Sequence, residues 1–297
     1  MKPTHARSLF RCHAAFLGLL CTWSIAHTSE QARGEEPTAA GGVPYGENER
    51  VGGYADLNGA KLYYEIYGKG EPLVLLHGNG GSIGGMNYQI EHFAAGFKVI
   101  VMDCRGRGKS ELGAEPLTYE LMARDVVALL KHLQVPSAHV VGRSDGGIVA
   151  LLMAIHFPER VKKIAAFGAN ISPDTNALYF LNSARRDFEE AVSMINSGDT
   201  NRNWVLAREL NSLLVHQPHI SVDDLKSIKS HVLVMSCDRD VIKEEHTLLI
   251  YRSIPRASLC ILPNETHWIT SENPALFNAV VGKFLLDAFR GEEARGL

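Results

Sequence analysis

The sharpest chemical signal in the chain is Gly142-Arg143-Ser144-Asp145-Gly146-Gly147. These residues directly follow the β-prone run Ala138–Val141 and directly open an apolar helical stretch. A strand-to-helix turn this tight forces its central residue into a strained backbone, which neighbours without side chains make possible. Ser144 would then stand above a sheet edge with its Oγ exposed. The backbone N–H of Asp145, at the helix start, would point at an oxyanion developing on a carbonyl under attack. Outside that strand–helix frame the same letters would spell only a glycine-rich turn.

A serine is inert alone and needs a base oriented by a third group. The run Leu259–Leu262 leads into Pro263-Asn264-Glu265-Thr266-His267-Trp268, placing His267 in a loop beyond a strand. Trp268, beside it, is a candidate substrate contact. The run Val232–Met235 leads into Ser236-Cys237-Asp238-Arg239-Asp240, which offers two carboxylates, Asp238 and Asp240. The order Ser, Asp, His, each after a strand, suits nucleophilic acyl transfer with His267 as base. His216 and His219 lack a third ligand, so no metal is expected. Gly108-Lys109-Ser110 echoes a phosphate loop, but Asp103 stands where its first glycine belongs, so no nucleotide is implied.

Such residues need a scaffold. Leu73–Leu76, Val99–Met102, Val140–Val141, Ile164–Phe167, Val232–Met235 and Leu259–Leu262 are apolar runs without polar alternation. That pattern suits strands buried on both faces, as in a parallel sheet covered by helices. Helical periods lie between them, at Tyr119–Leu133, Gly147–His156 and Asn273–Phe289. A hairpin about Asn58-Gly59 precedes the series. The class is therefore α/β with a mostly parallel sheet. About residues 171–230, an insertion with three helical patterns interrupts the rhythm and reads as a cap over the strand ends.

The chain of 297 residues, 45% apolar and 21% charged, can fill a sizeable core and is not a disordered sequence. Its net charge of −3, without a basic cluster, excludes a nucleic-acid partner. The start differs from the rest. Lys2, Arg7 and Arg11 flank an apolar run of 13 residues, Ala14–Ala26, ending in Ser24-Ile25-Ala26. A membrane-spanning helix needs about 20 residues, so residues 1–26 read as a cleavable secretory signal, with an uncleaved anchor as the other reading. Cleavage takes the net charge from −3 to −6. Secretion or a periplasmic location follows, with no membrane attachment once the signal is gone. Residues 27–50 read as a flexible linker and 51–297 as the folded domain. Cys104, Cys237 and Cys260 remain after cleavage. Cys237 and Cys260 could pair across neighbouring strands, or all three are small buried hydrophobes.

From about Gly53 to Phe289 the sequence resembles the α/β-hydrolase superfamily, in particular its valacyclovir-hydrolase-like and esterase members. His77-Gly78-Asn79-Gly80-Gly81-Ser82 looks like the oxyanion loop after the third strand, and Asp103-Cys104-Arg105-Gly106-Arg107-Gly108-Lys109-Ser110 resembles the D-x-R-G-x-G-x-S turn after the fourth. The resemblance implies an eight-stranded, mostly parallel sheet flanked by helices, with Asn79 as a backbone oxyanion donor beside Asp145. The superfamily's G-x-x-D pattern aligns Asp240 as the acid, with Cys237 in place of the glycine.

The expected activity is that of an exported serine hydrolase acting on a small-molecule ester or related acyl bond. Ser144, His267 and Asp240 would form its triad, and no cofactor would be needed. Rival readings are an aminopeptidase or carbon–carbon bond hydrolase with the same triad, and a weakly catalytic ligand receptor. The Asp145 carboxylate has two readings. It stabilises the helix start through the macrodipole, or it faces the acyl pocket and pairs with a cationic substrate group.

Overall fold

A strand buried on both faces needs apolar residues at every position, and the computed structural model, which describes residues 38–39 and 42–291, puts such strands at the centre of one sheet. A short ribbon, β1 (Thr38–Ala39) with β2 (Val43–Pro44), comes first. The hairpin β3 (Gly52–Leu57) and β4 (Ala60–Tyr67) turns at Asn58 and Gly59, whose φ angles are 43° and 79°. Strand and helix then alternate: β5 (Glu71–Leu76), α1 (Asn87–Ala94), β6 (Phe97–Met102), α2 (Tyr119–His132), β7 (Ala138–Arg143), α3 (Asp145–His156) and β8 (Val161–Phe167). The insertion holds α4 (Leu181–Ser197), α5 (Trp204–His216) and α6 (Val222–Lys226). The chain resumes with β9 (His231–Arg239), α7 (Glu244–Ser253), β10 (Ala257–Thr266), α8 (Ile269–Glu272) and α9 (Pro274–Leu286).

Eight strands form the main sheet in the order β10-β9-β8-β7-β5-β6-β4-β3. β4 runs antiparallel to β3 and β6, and every other neighbouring pair is parallel. The mostly parallel eight-stranded sheet is thus as expected. Successive residues of one strand serve opposite cores. Ile100 and Met102 of β6 pack with residues of α2 and α3, whereas Val99 and Val101 pack with residues of α1 and α9. That period of two explains the unbroken apolar runs, since neither face meets water.

Two boundaries differ from expectation. The linker assignment of 27–50 extends too far. Gly46 and Asn48 donate their N–H groups to the buried Glu65 carboxylate at 2.8 and 2.7 Å, so this segment is docked by backbone hydrogen bonds that composition does not reveal. Residues 1–26, the expected signal, lie outside the described residues, as do 27–37 and 40–41. The second boundary concerns the cap. The Ile220 N–H donates to the Ile171 oxygen at 3.0 Å and closes the neck of the insertion. α6 lies beyond that neck, and its buried Leu225 joins the core that holds Val149 of α3 and Ile250 of α7. It is part of the body, and the cap proper is α4 and α5.

Candidate active site

The turn from β7 to α3 is as tight as its glycines imply. A Cβ at Gly142 would lie 2.1 Å from the Gly146 oxygen, and one at Gly146 would lie 2.3 Å from the Leu76 oxygen. Ser144 has φ 54° and ψ −118°, in the left-handed half of conformational space that non-glycine residues avoid. Its N–H donates to the Phe167 oxygen at 2.8 Å, which ties the turn to the end of β8.

That same strand end receives His267. Its ring stacks on Phe167, with centroids 5.7 Å apart and planes inclined by 27°. Gly168, at φ 60°, makes the space: a Cβ there would stand 2.6 Å from His267 Cε1. His267 Nδ1 lies 2.6 Å from Asp240 Oδ1. Asp240 also accepts from Ser236 Oγ and from the Ile242 N–H, each at 3.1 Å. Burial alone would raise the Asp240 pKa. The hydrogen bond and charge of His267, with those two donors, outweigh burial and hold it below the usual carboxylate value. Asp238 is turned elsewhere and accepts the Asn264 N–H at 2.7 Å, bracing the loop that carries His267. Of the two carboxylates, Asp240 is the one brought to His267.

Asn79 sits in the loop after β5. Its side chain donates to the Leu210 oxygen of α5 at 3.0 Å, linking that loop to the cap. His77, two residues earlier, is buried. The Cys104 N–H donates to His77 Nε2 at 3.0 Å, so the proton sits on Nδ1, which donates to the Gly78 oxygen at 2.8 Å. Burial and the charge of Arg107 push its pKa down to about 3, so the ring stays neutral in this role. The turn after β6 is held by the buried Asp103 carboxylate, which accepts from Ile83 and Lys109 N–H groups at 2.8 and 2.9 Å.

The Asp145 carboxylate does not face a cationic substrate. It is 1% exposed, accepts from the Tyr119 hydroxyl at 2.8 Å and lies 3.5 Å from Arg107 Nη2. Arg143, its neighbour in the chain, is not its partner, since Arg143 Nε donates to the His267 oxygen at 3.2 Å. Trp268 is 45% exposed beside the His267 ring and remains open to a ligand. Cys237 and Cys260 are free thiols, and the strand register opposes Cys237 to Leu262 and Cys260 to Met235.

Sequence reasoning missed the roles of His77, Arg107, Tyr119 and Gly168. Only Gly168 left a signal, as a glycine directly after a buried strand. Among the described residues, no group of three or more His, Cys, Asp or Glu could hold a metal ion. The assembled groups can activate a hydroxyl for attack on a carbonyl.

Residues 71–204 match the family model for the alpha/beta hydrolase fold. A Burkholderia vietnamiensis protein named 2-hydroxy-6-oxononadienedioate/2-hydroxy-6-oxononatrienedioate hydrolase is 29% identical over 262 residues, which is 76% of this chain and 91% of that protein. An Azorhizobium caulinodans protein named as a carbamate hydrolase is 41% identical over 111 residues, covering 37% of this chain and only 42% of that relative. Among solved structures, an N-acyl homoserine lactone degrading enzyme, Est816, superposes with a TM-score of 0.65 at 27% identity. It covers 78% of this chain and 100% of that one. The matched segment, the sheet order and these hydrolase relatives agree with the glycine-framed turn, and the chain has the α/β-hydrolase fold.

Proposed function

We propose that the chain is an exported serine hydrolase that cleaves a carboxylic ester or related acyl bond of a small molecule. The observation that carries the reading is the convergence on one strand end: strained Ser144 bonded to the Phe167 oxygen, and His267 stacked on the Phe167 ring with Nδ1 2.6 Å from Asp240. Ser144 Oγ attacks the acyl carbon as His267 Nε2 takes its proton. Asp240 holds the tautomer and stabilises the imidazolium. The N–H groups of Asn79 and Asp145 receive the oxyanion. His267 returns the proton to the leaving group, and water then repeats the sequence to free the acid and restore Ser144.

A second reading, hydrolysis of a carbon–carbon bond by the same residues, is favoured by the dioate hydrolase named above, which the chain covers over 91% of its length. Export rests on the composition of residues 1–26. A fluorophosphonate should label Ser144 in the purified protein, and Ser144→Ala should abolish the adduct. Labelling that survives the substitution would sink the assignment. Rates on aryl esters against a vinylogous 1,5-diketone then separate the two bond classes. N-terminal sequencing of exported protein should begin at His27.

A further inference from the structure

Arg143 precedes the nucleophile and is half-buried, so its guanidinium has lost much of its water. One of its N–H groups donates to the His267 oxygen, and among the described residues no other side-chain hydrogen bond of Arg143 occurs. Three carboxylates, Asp240, Asp145 and Glu272, act on it only through space. Each is committed elsewhere: Asp240 to His267, Asp145 to Tyr119 and Arg107, and Glu272 to the Thr266 hydroxyl. A desolvated cation without an ion-pair partner is costly unless something completes it.

The position of the remaining nitrogens matters. A Cβ added to Gly78, in the loop carrying Asn79, would meet Ser144 Cβ at 3.0 Å and Arg143 Nη1 at 3.3 Å. The nucleophile and this nitrogen therefore flank the same point of the loop. Arg107 Nε and Arg160 Nε are buried without partners, whereas the terminal nitrogens of Arg143 are unpartnered without being sealed from solvent. A planar fork of free N–H groups is the donor set that a carboxylate fits.

The geometry points to Arg143 as the residue that selects substrates bearing a carboxylate close to the scissile carbonyl. This rests on the hydrolase reading above and names its substrate class. The unpaired charge beside Ser144 is positive, the opposite of what the Asp145 carboxylate offers in the sequence alone. Binding such a substrate completes the ion pair in a partly dry site, where the interaction is stronger than in water.

The test uses two fluorophosphonates with the same alkyl arm, one ending in a carboxylate and the other in a carboxamide. In each, Ser144 Oγ bonds to phosphorus and expels fluoride to solvent while His267 takes the hydroxyl proton, and intact mass spectrometry follows the adduct. The wild type should label on the order of 10-fold faster with the carboxylate reagent. Arg143→Gln should remove most of that ratio, and Arg143→Lys should keep part of it, since the charge remains. A wild type without preference overturns the inference. So does an Arg143→Gln variant that keeps the ratio, or a pair of variants that slow both reagents equally, because Arg143 would then only pin the His267 loop. Failure of both reagents to label Ser144 overturns the hydrolase reading itself, and this inference with it.

Discussion

Helix α3 buries ten of its twelve residues, whereas cap helix α4 buries three of seventeen and α5 two of thirteen. The first is held from every side, at its start by the glycine contacts and at Asp145 by Tyr119 and Arg107. The cap meets the body through a few polar bonds, such as Asn79 to the Leu210 oxygen and the Leu117 N–H to Glu209, and through Leu213, which joins the core that holds α3. The contrast shows where strain can be stored. A residue at φ 54° persists only where surrounding contacts over-determine it, and α3 provides them. The cap buries far fewer residues, so it lacks the surrounding contacts that would hold a strained backbone in place.

The largest expected effect separates two acids on one strand end. Asp240→Asn should lower kcat by a factor on the order of 10³–10⁴, because His267 loses its oriented tautomer. Asp238→Asn removes only the brace to the Asn264 N–H and should cost less than about 10-fold. Steady-state kinetics on an aryl ester decide the matter, and a reversed ranking would exchange the two residues.

Gly168→Ala comes next. Its new Cβ would stand 2.6 Å from His267 Cε1, so the ring must shift by a fraction of an ångström or more. A displacement of that order can cost about 10²-fold in kcat with KM nearly unchanged. Equal activity of the variant would show that the strand end gives way more easily than the packing implies.

Acid tests the over-determined region through its histidines. His77, held at about 3 by burial and Arg107, stays neutral in the folded chain. In the unfolded chain its pKa returns to about 6.5, so below that pH the unfolded state binds more protons. Stability should therefore fall as pH drops from 6.5, by about 2 kcal/mol from His77 alone at pH 5. His231, at about 4, adds to the same slope. Denaturant titrations at pH 7 and pH 5 measure the loss, and His77→Gln should flatten it. An unchanged slope in that variant would remove His77 as the source.

The smallest effect belongs to the cap. Val205, on α5 and 46% exposed, should tolerate Ser with a stability change within about 0.5 kcal/mol. Thermal unfolding measures it, and a large loss would mean that the cap is packed more tightly than its burial indicates.

Much of the fold was legible because its signals are local. Both-face burial writes apolar runs, the largely buried α3 writes a longer apolar stretch, and the amphipathic α2 writes a helical period. Helix α7 left no such period, because His246, Thr247 and Ser253 share its buried face with Ile250. The docking of Gly46 and Asn48 was hidden for a similar reason: backbone N–H groups meeting Glu65 leave no mark in side-chain composition.

The sequence by itself determined the nucleophile turn, since strand, glycines, serine and helix are consecutive and their sterics are settled within a few residues. It also determined the order in which Ser144, an acid and His267 reach the strand ends. Resemblance favoured Asp240 over Asp238, and the tertiary structure showed that its carboxylate meets His267, because the two acids leave the same strand end and differ in where each carboxylate lands. The tertiary structure alone decided which charge beside Ser144 stays unpaired. Asp145 is neutralised by Arg107 and bonded by Tyr119, which lie 38 and 26 positions away in the chain, while Arg143 next door has no carboxylate at hydrogen-bonding distance. Charge pairing depends on distance through space, and neighbours in sequence do not set it.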